Sequence, residues 1–254
     1  MAIIAVRAWY LQDYEPVREL EKRPHDLRLS KNSLLKTGLR ADFLDDREEV
    51  KESTWFKRYL EGDTIEFYIE GSGGYGVANI DLISQEIYLT KQDSIARLDP
   101  TIFWSPQTEN RDAAEEMREV LEESIASLNE RSRLQLSLEE AQRPDFGPMR
   151  PSSSRMRKLR KSLLSIADVS PIATVGSPAQ FIPSPNVCVE LGYALQSKRR
   201  EQILLVQRLT EEAPKGSAFD WPSLQTIGFR DRAELETLLP AAIEDRLQRY
   251  NLFP

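Results

Sequence analysis

The chain has 254 residues, with 34 Lys and Arg against 41 Asp and Glu, one His, one Cys, 40% apolar residues and 30% charged residues. A net charge of −7 argues against a general nucleic-acid binder, and one Cys beside one His excludes an internal disulfide and a zinc cluster. The apolar content suits a folded chain and includes no run of bilayer length, so two domains in a reducing cytoplasm are expected, with no membrane partner.

The rhythm of the sequence changes near residue 100. Before it, Ile3–Tyr10, Thr64–Glu70 and Ala78–Ile83 are near-alternating, β-branched and aromatic, which predicts antiparallel strands. Gly71–Gly76, between the last two, supplies the positive φ of a hairpin connection. As a phosphate cradle the same run would need a helix after it, and a strand follows instead. One helix is predicted from Arg47 to Leu60. Residues 1–98 therefore read as a small β-rich α+β module.

From Asp99 onward, short apolar runs alternate with longer segments of 3.6 period. The runs are Ile102–Ser105, Leu134–Leu138, Leu163–Val169, Ile203–Val206 and Leu224–Phe229. Helices are predicted over Glu109–Leu128 with Thr108 as cap, Ser153–Leu163, Val187–Lys198 and Arg232–Arg249. Five strands alternating with helices predict a flavodoxin-like, doubly wound parallel sheet over residues 99–254. Such sheets bind ligands beyond the strand carboxyl ends. That rule singles out Ser105, Pro106 and Gln107, then Asp168, Val169 and Ser170, then the loop before the third helix. Arg143–Ser152 reads as a Pro-rich lid or insertion.

Pro183–Leu195 holds the most informative carboxylate. Asn186 after Pro185 is a predicted N-cap, and the helix beyond it is apolar for nine residues apart from Glu190. Gly192 would let this helix pack closely on the sheet, leaving Glu190 facing a polar group or a cavity. Two roles fit Glu190: a carboxylate that answers a cap or a buried Arg, and a partly desolvated carboxylate that stabilises or bonds to a cationic carbon. Cleavage of a glycosidic bond through an oxocarbenium-like transition state requires the second. Cys188 has no visible base and reads as a small apolar residue. Trp104 is either a stacking surface for a base or nicotinamide, or core. The basic run Arg155, Arg157, Lys158, Arg160 and Lys161 is either a solvated face or a polyphosphate contact, and His25 sits in a charged loop.

Ile166–Pro171, Pro185–Leu195, Ile203–Val206, and Phe219-Asp220 ahead of Ile227–Phe229 together resemble the nucleotide-binding TIR-like proteins, related in fold to the nucleoside 2-deoxyribosyltransferases. The resemblance covers the second domain and centres on Asn186-Val187, Glu190-Leu191-Gly192-Tyr193-Ala194, placed between a strand ending in Asp168 and the next apolar strand. It implies that Glu190 is the nucleophile on the sugar anomeric carbon and that Asp168 lies beside the ligand. Strand ends and the next helix start converge on Trp104, Ser105, Asp168, Ser170 and Asn186, which are the expected substrate-binding residues. The implied activity is cleavage of an N-glycosidic bond in NAD or a related nucleotide, with NAD as substrate rather than cofactor, no metal, and a role in bacterial antiviral defence. The alternative is a nucleotide-binding sensor or scaffold without turnover. Relatives often carry Gly-Ser-Pro before the second helix, where this chain has Pro151-Ser152-Ser153-Ser154 and the basic run. Residues 1–98 lie outside the resemblance. They are expected to mediate a homo-oligomer or a second protein partner, with Trp9, Tyr10, Trp55 and Phe56 either exposed for contact or filling the module's own core.

Overall fold

The computed structural model describes residues 4–37, 39–92, 95–142, 152–210, 216–221 and 224–253. The chain divides into two compact units, Met1–Leu98 and Asp99–Pro254. In the first, the elements run β1 (Ala5–Tyr10), α1 (Val17–Leu20), β2 (Leu27–Ser30), α2 (Lys31–Thr37), β3 (Arg40–Asp42), α3 (Arg47–Glu52), α4 (Thr54–Leu60), β4 (Glu66–Ile69), β5 (Gly73–Asp81) and β6 (Glu86–Gln92). The strands form one antiparallel sheet in the order β2-β1-β4-β5-β6-β3. A bridge between Leu29 and Phe43 joins its two ends, so the sheet nearly closes into a barrel with little free edge. Its interior is filled by side chains such as Trp55, Phe67, Ile69 and Ile87, with the Trp55 and Phe67 rings edge-on at 5.0 Å. Trp9, Tyr10, Trp55 and Phe56 are all buried, so these aromatics are core and not an exposed contact surface.

The hairpin between β4 and β5 is tighter than the sequence suggests. The turn is made by Glu70–Ser72, closed by the Ser72 amide donating to the Ile69 carbonyl at 2.9 Å, and the glycine run already belongs to β5 from Gly73. Gly73 has φ +117°, and a Cβ on it would come within 2.9 Å of the Arg97 guanidinium, so glycine is required there. The helix expected over Arg47–Leu60 is two helices. Ser53 sits between them in extended conformation, its hydroxyl donating to Val50 O at 2.6 Å and accepting from Phe56 N at 3.3 Å, which ends one helix and caps the next.

The second unit contains β7 (Asp99–Ser105), α5 (Arg111–Asn129), β8 (Ser137–Glu140), α6 (Ser153–Lys161), β9 (Ser162–Asp168), β10 (Ala173–Val175), β11 (Gln180–Ile182), α7 (Pro185–Ser197), β12 (Ile203–Arg208), β13 (Gln225–Phe229) and α8 (Arg232–Leu247). Its five-stranded sheet is parallel throughout, in the order β13-β12-β9-β7-β8. Counted within the unit this is the 2-1-3-4-5 order of flavodoxin-like sheets, with the switch point between β7 and β9. The central strand β9 is buried along its whole length, as a strand covered on both faces must be. Leu159 of α6 and Val187, Leu191 and Ala194 of α7 pack with Phe103 and Ala167 on one face. Helices α5 and α8 pack together on the other.

Four local expectations shift. The run Leu134–Leu138 becomes a strand only from Ser137, because the Asn129 side chain holds the Leu136 backbone through both its N–H (2.8 Å) and its carbonyl (2.9 Å). Asn110, not Thr108, caps α5, accepting from Ala113 N at 3.2 Å. Helix α7 starts at Pro185 with Ser184 as its N-cap residue, so Asn186 is inside the first turn. Gly192 is exposed, and nothing lies within 4 Å of where its Cβ would be, so it does not serve close packing on the sheet. The short antiparallel hairpin β10–β11, between β9 and α7, has no apolar periodicity to announce it. Most of the expected lid, residues 143–151, lies outside the described residues.

Candidate functional site

The carboxyl ends of β7 and β9 and the start of α7 meet in a polar network that runs from buried Asp168, Gln107 and Ser184 out to exposed Glu109. Asp168 closes β9 and is 3% exposed. Its Oδ1 accepts from both the Ser170 amide, at 2.9 Å, and the Ser170 hydroxyl, at 2.6 Å. The Ser170 hydroxyl oxygen in turn accepts from the amide of Arg208 at 2.8 Å, which ties the end of β9 to the end of β12. Gln107, just beyond β7, donates from Nε2 to the Ser170 carbonyl at 2.9 Å and accepts at Oε1 from the Ser184 amide at 2.5 Å. The Ser184 hydroxyl donates to the Glu109 carboxylate at 2.7 Å. Burial pushes the Asp168 carboxyl above the usual carboxylate range; hydrogen bonds from Ser170 and Gln107 oppose the rise, and the Glu109 charge adds to it.

Strand alternation sorts the expected site residues onto two faces. Trp104 stands in register with Ile166, and Ser105 with Ala167. Trp104, Ile166 and Asp168 therefore share the α5–α8 face, while Ser105 points with Phe103 and Ala167 to the α6–α7 face. Trp104 is 1% exposed, and its indole N–H has no hydrogen-bond partner among the described residues. Its ring is core in this conformation. Glu190 lies on the buried stripe of α7 with Val187, Leu191 and Ala194; it is 0% exposed and has an interaction partner. Asn186 is half-buried in the first turn of α7.

The structure thus brings Asp168 and Ser170 into one network with Gln107, Ser184 and Glu109, and places Ser105 and Glu190 on the opposite side of the sheet. Ser184, Glu109 and Arg208 were not among the expected site residues. The sequence cue for Ser184 is a Ser directly before a Pro at a helix start, which favours the Ser as cap and the Pro as first helical residue. Cys188 is half-buried, its Sγ lies 3.8 Å from the Pro183 carbonyl, and burial raises its thiol, which suits a structural residue. Much of the basic run on α6 is occupied by structure: Lys158 pairs with Glu139 at 2.5 Å, Lys161 with Asp99 at 3.8 Å, and Arg155 donates to the Gln142 carbonyl at 2.7 Å. Among the described residues no cluster of three or more His, Cys, Asp or Glu could hold a metal, and no helix is long and apolar enough to cross a membrane.

No protein-family model and no curated protein matches the chain. Among solved structures, it is similar to the metal-soaked Flv1 flavodiiron core from Synechocystis sp. PCC6803, with 12% identity, a TM-score of 0.35, and coverage of 61% of this chain and 36% of that one. It is also similar to the CMP N-glycosidase BcmB of Clostridium botulinum, with 16% identity, a TM-score of 0.30, and coverage of 55% of this chain and 98% of that one. The chain spans about a third of the flavodiiron core's length. At these TM-scores neither likeness bears on function.

Proposed function

We propose that the unit Asp99–Pro254 binds a nucleoside or nucleotide at the carboxyl ends of β7 and β9 and cleaves its N-glycosidic bond, with the Glu190 carboxylate acting on the anomeric carbon. The observation that supports this best is a fully buried carboxylate, Glu190, on the helix whose N-cap residue, Ser184, is tied to the switch point of a 2-1-3-4-5 sheet. An ionised carboxylate shielded from bulk water stabilises positive charge far better than one at the surface. As the bond to the base breaks, its electron pair leaves with the base and C1′ becomes cationic. Glu190 then either bonds to C1′ or holds the cation until water or another acceptor adds. The ligand requires the strand ends to open, because Ser105, Gln107, Asp168 and Glu190 are all covered in this conformation.

NAD is the substrate the sequence resemblance favours, and an effector role in antiviral defence is the biological setting that accompanies it. Incubating the full chain with NAD and separately with deoxynucleosides, followed by mass spectrometry, tests the proposal. Release of nicotinamide or free base is expected, and Glu190→Gln should lower it by about a hundredfold or more. Undiminished release by Glu190→Gln would remove Glu190 from the chemistry. A second reading, ligand binding without cleavage, is favoured by the placement of Asp168 and Glu190 on opposite faces of the sheet, which keeps the two from acting as a catalytic pair. Calorimetric binding with no product after long incubation would select it.

A further inference from the structure

We propose that Gln107 is a positioning residue that fixes the start of α7, and with it Glu190, against the carboxyl end of β9. The role of Glu190 in this statement rests on the function proposed above; the clamp itself does not. The Gln107 side chain is 2% exposed, and its amide spends donor and acceptor on two different segments: Nε2 donates to the Ser170 carbonyl at 2.9 Å, and Oε1 accepts from the Ser184 amide at 2.5 Å. The end of β9 and the start of α7 are thus joined by one planar amide whose own backbone sits at the end of β7.

The Ser184 amide is one of the N-terminal donors that no intrahelical carbonyl can satisfy, and the Ser184 side chain makes no cap bond of its own to the helix. It gives its hydroxyl to Glu109 instead. The Gln107 oxygen therefore takes the place of a cap and comes from outside the helix, so it sets where α7 begins as well as satisfying a donor. Glu190 lies six residues further on, about 9 Å along the axis, on the stripe that faces the sheet. A shift at Ser184 is carried down a rigid helix to that carboxylate. A leucine at position 107 has similar size and neither hydrogen-bonding group, so it would leave a half-buried carbonyl and a buried amide without their partner.

Hydrogen exchange followed by mass spectrometry on the full chain tests this without a ligand. In Gln107→Leu, amides of the first turn of α7 should exchange roughly tenfold faster, while those of β12 and β13 stay at the wild-type rate. Gln107→Glu supplies the rescue: protonated, its carboxylic acid keeps a donor and an acceptor and should restore wild-type exchange at low pH; ionised, it still accepts from the Ser184 amide but loses the donor to the Ser170 carbonyl, so exchange at α7 should fall between wild type and the leucine variant. Unchanged exchange at α7 in Gln107→Leu, or an increase spread evenly over the whole unit, would overturn the clamp. With NAD as probe, a fall in kcat at constant KM in Gln107→Leu supports positioning of Glu190, and an effect on KM alone overturns it. Wild-type chain that releases nothing from NAD while the exchange pattern appears as expected would leave the clamp standing and count only against the glycosidic function.

Discussion

Lys198 offers a stability experiment whose sign and size follow from its surroundings. At the end of α7 its ammonium is buried, 9% exposed, and its Nζ donates to the Ser162 carbonyl at 2.5 Å. Burial lowers its pKa from 10.5 to about 7, because the charged form loses its hydration and no carboxylate replaces it. The unfolded chain therefore binds a proton at this site that the folded chain lacks throughout the window from about 7 to 10.5, and stability rises with pH across that window. At about 1.4 kcal/mol per pH unit the full effect is roughly 5 kcal/mol, and roughly 3 kcal/mol of it still opposes folding at about pH 8. Lys198→Met keeps the length and removes the titration, at the loss of one hydrogen bond to Ser162 that costs about 1 to 2 kcal/mol. Urea unfolding at a series of pH values should show the variant more stable than wild type near pH 7, with the difference shrinking and reversing toward pH 10. Parallel pH profiles for the two proteins would refute the reasoning, since any other titrating group is common to both.

Two further outcomes follow. Asn129→Ala removes the side chain that holds both backbone groups of Leu136, and should lower the stability of the second unit by about 1 to 3 kcal/mol, read from denaturant midpoints at unchanged m-value. Because the ends of the first unit's sheet are bridged and its aromatics are buried, light scattering of the full chain and of a chain beginning at Asp99 should show no assembly that depends on residues 1–98; a larger species for the full chain alone would refute this.

How far the sequence reveals this molecule depends on whether a feature is carried by periodicity or by tertiary contact. The apolar runs at Ile102, Leu163 and Ile203 mark β7, β9 and β12 because fully covered strands must be apolar along their length. The short strands β2 and β3 carry too few alternating residues to stand out, and their pairing is dictated by closure of the barrel, whereas β6 alternates at Ile87 and Leu89. The break at Ser53 and the late start of β8 are decided by single side chains bonding backbone groups, Ser53 to Val50 and Phe56, and Asn129 to Leu136. Gly192 shows the opposite failure: a glycine suggestive of close approach faces open space. The polar network is of the same tertiary kind. Gln107 and Ser184 are 77 positions apart, and no local pattern in either segment indicates the other.

The two carboxylates singled out from the sequence are separated by the sheet itself, and that separation assigns them different work. Asp168 points to the α5–α8 face and receives two hydrogen bonds from Ser170, whose hydroxyl then accepts the Arg208 amide. Its immediate effect is to lock the exits of β9 and β12 into one geometry. Glu190 lies on the α6–α7 side, with Ser105 on the same face, and makes no use of that lock except through the placement of α7. A paired mechanism, in which both carboxylates flank one glycosidic bond, would need them on a common face of the crevice. A single-carboxylate mechanism does not: one desolvated acid opposite the leaving base is sufficient, provided that its helix is held in place. The buried amide of Gln107 meets that condition, since it bonds the end of β9 and Ser184, the N-cap residue of α7, at once.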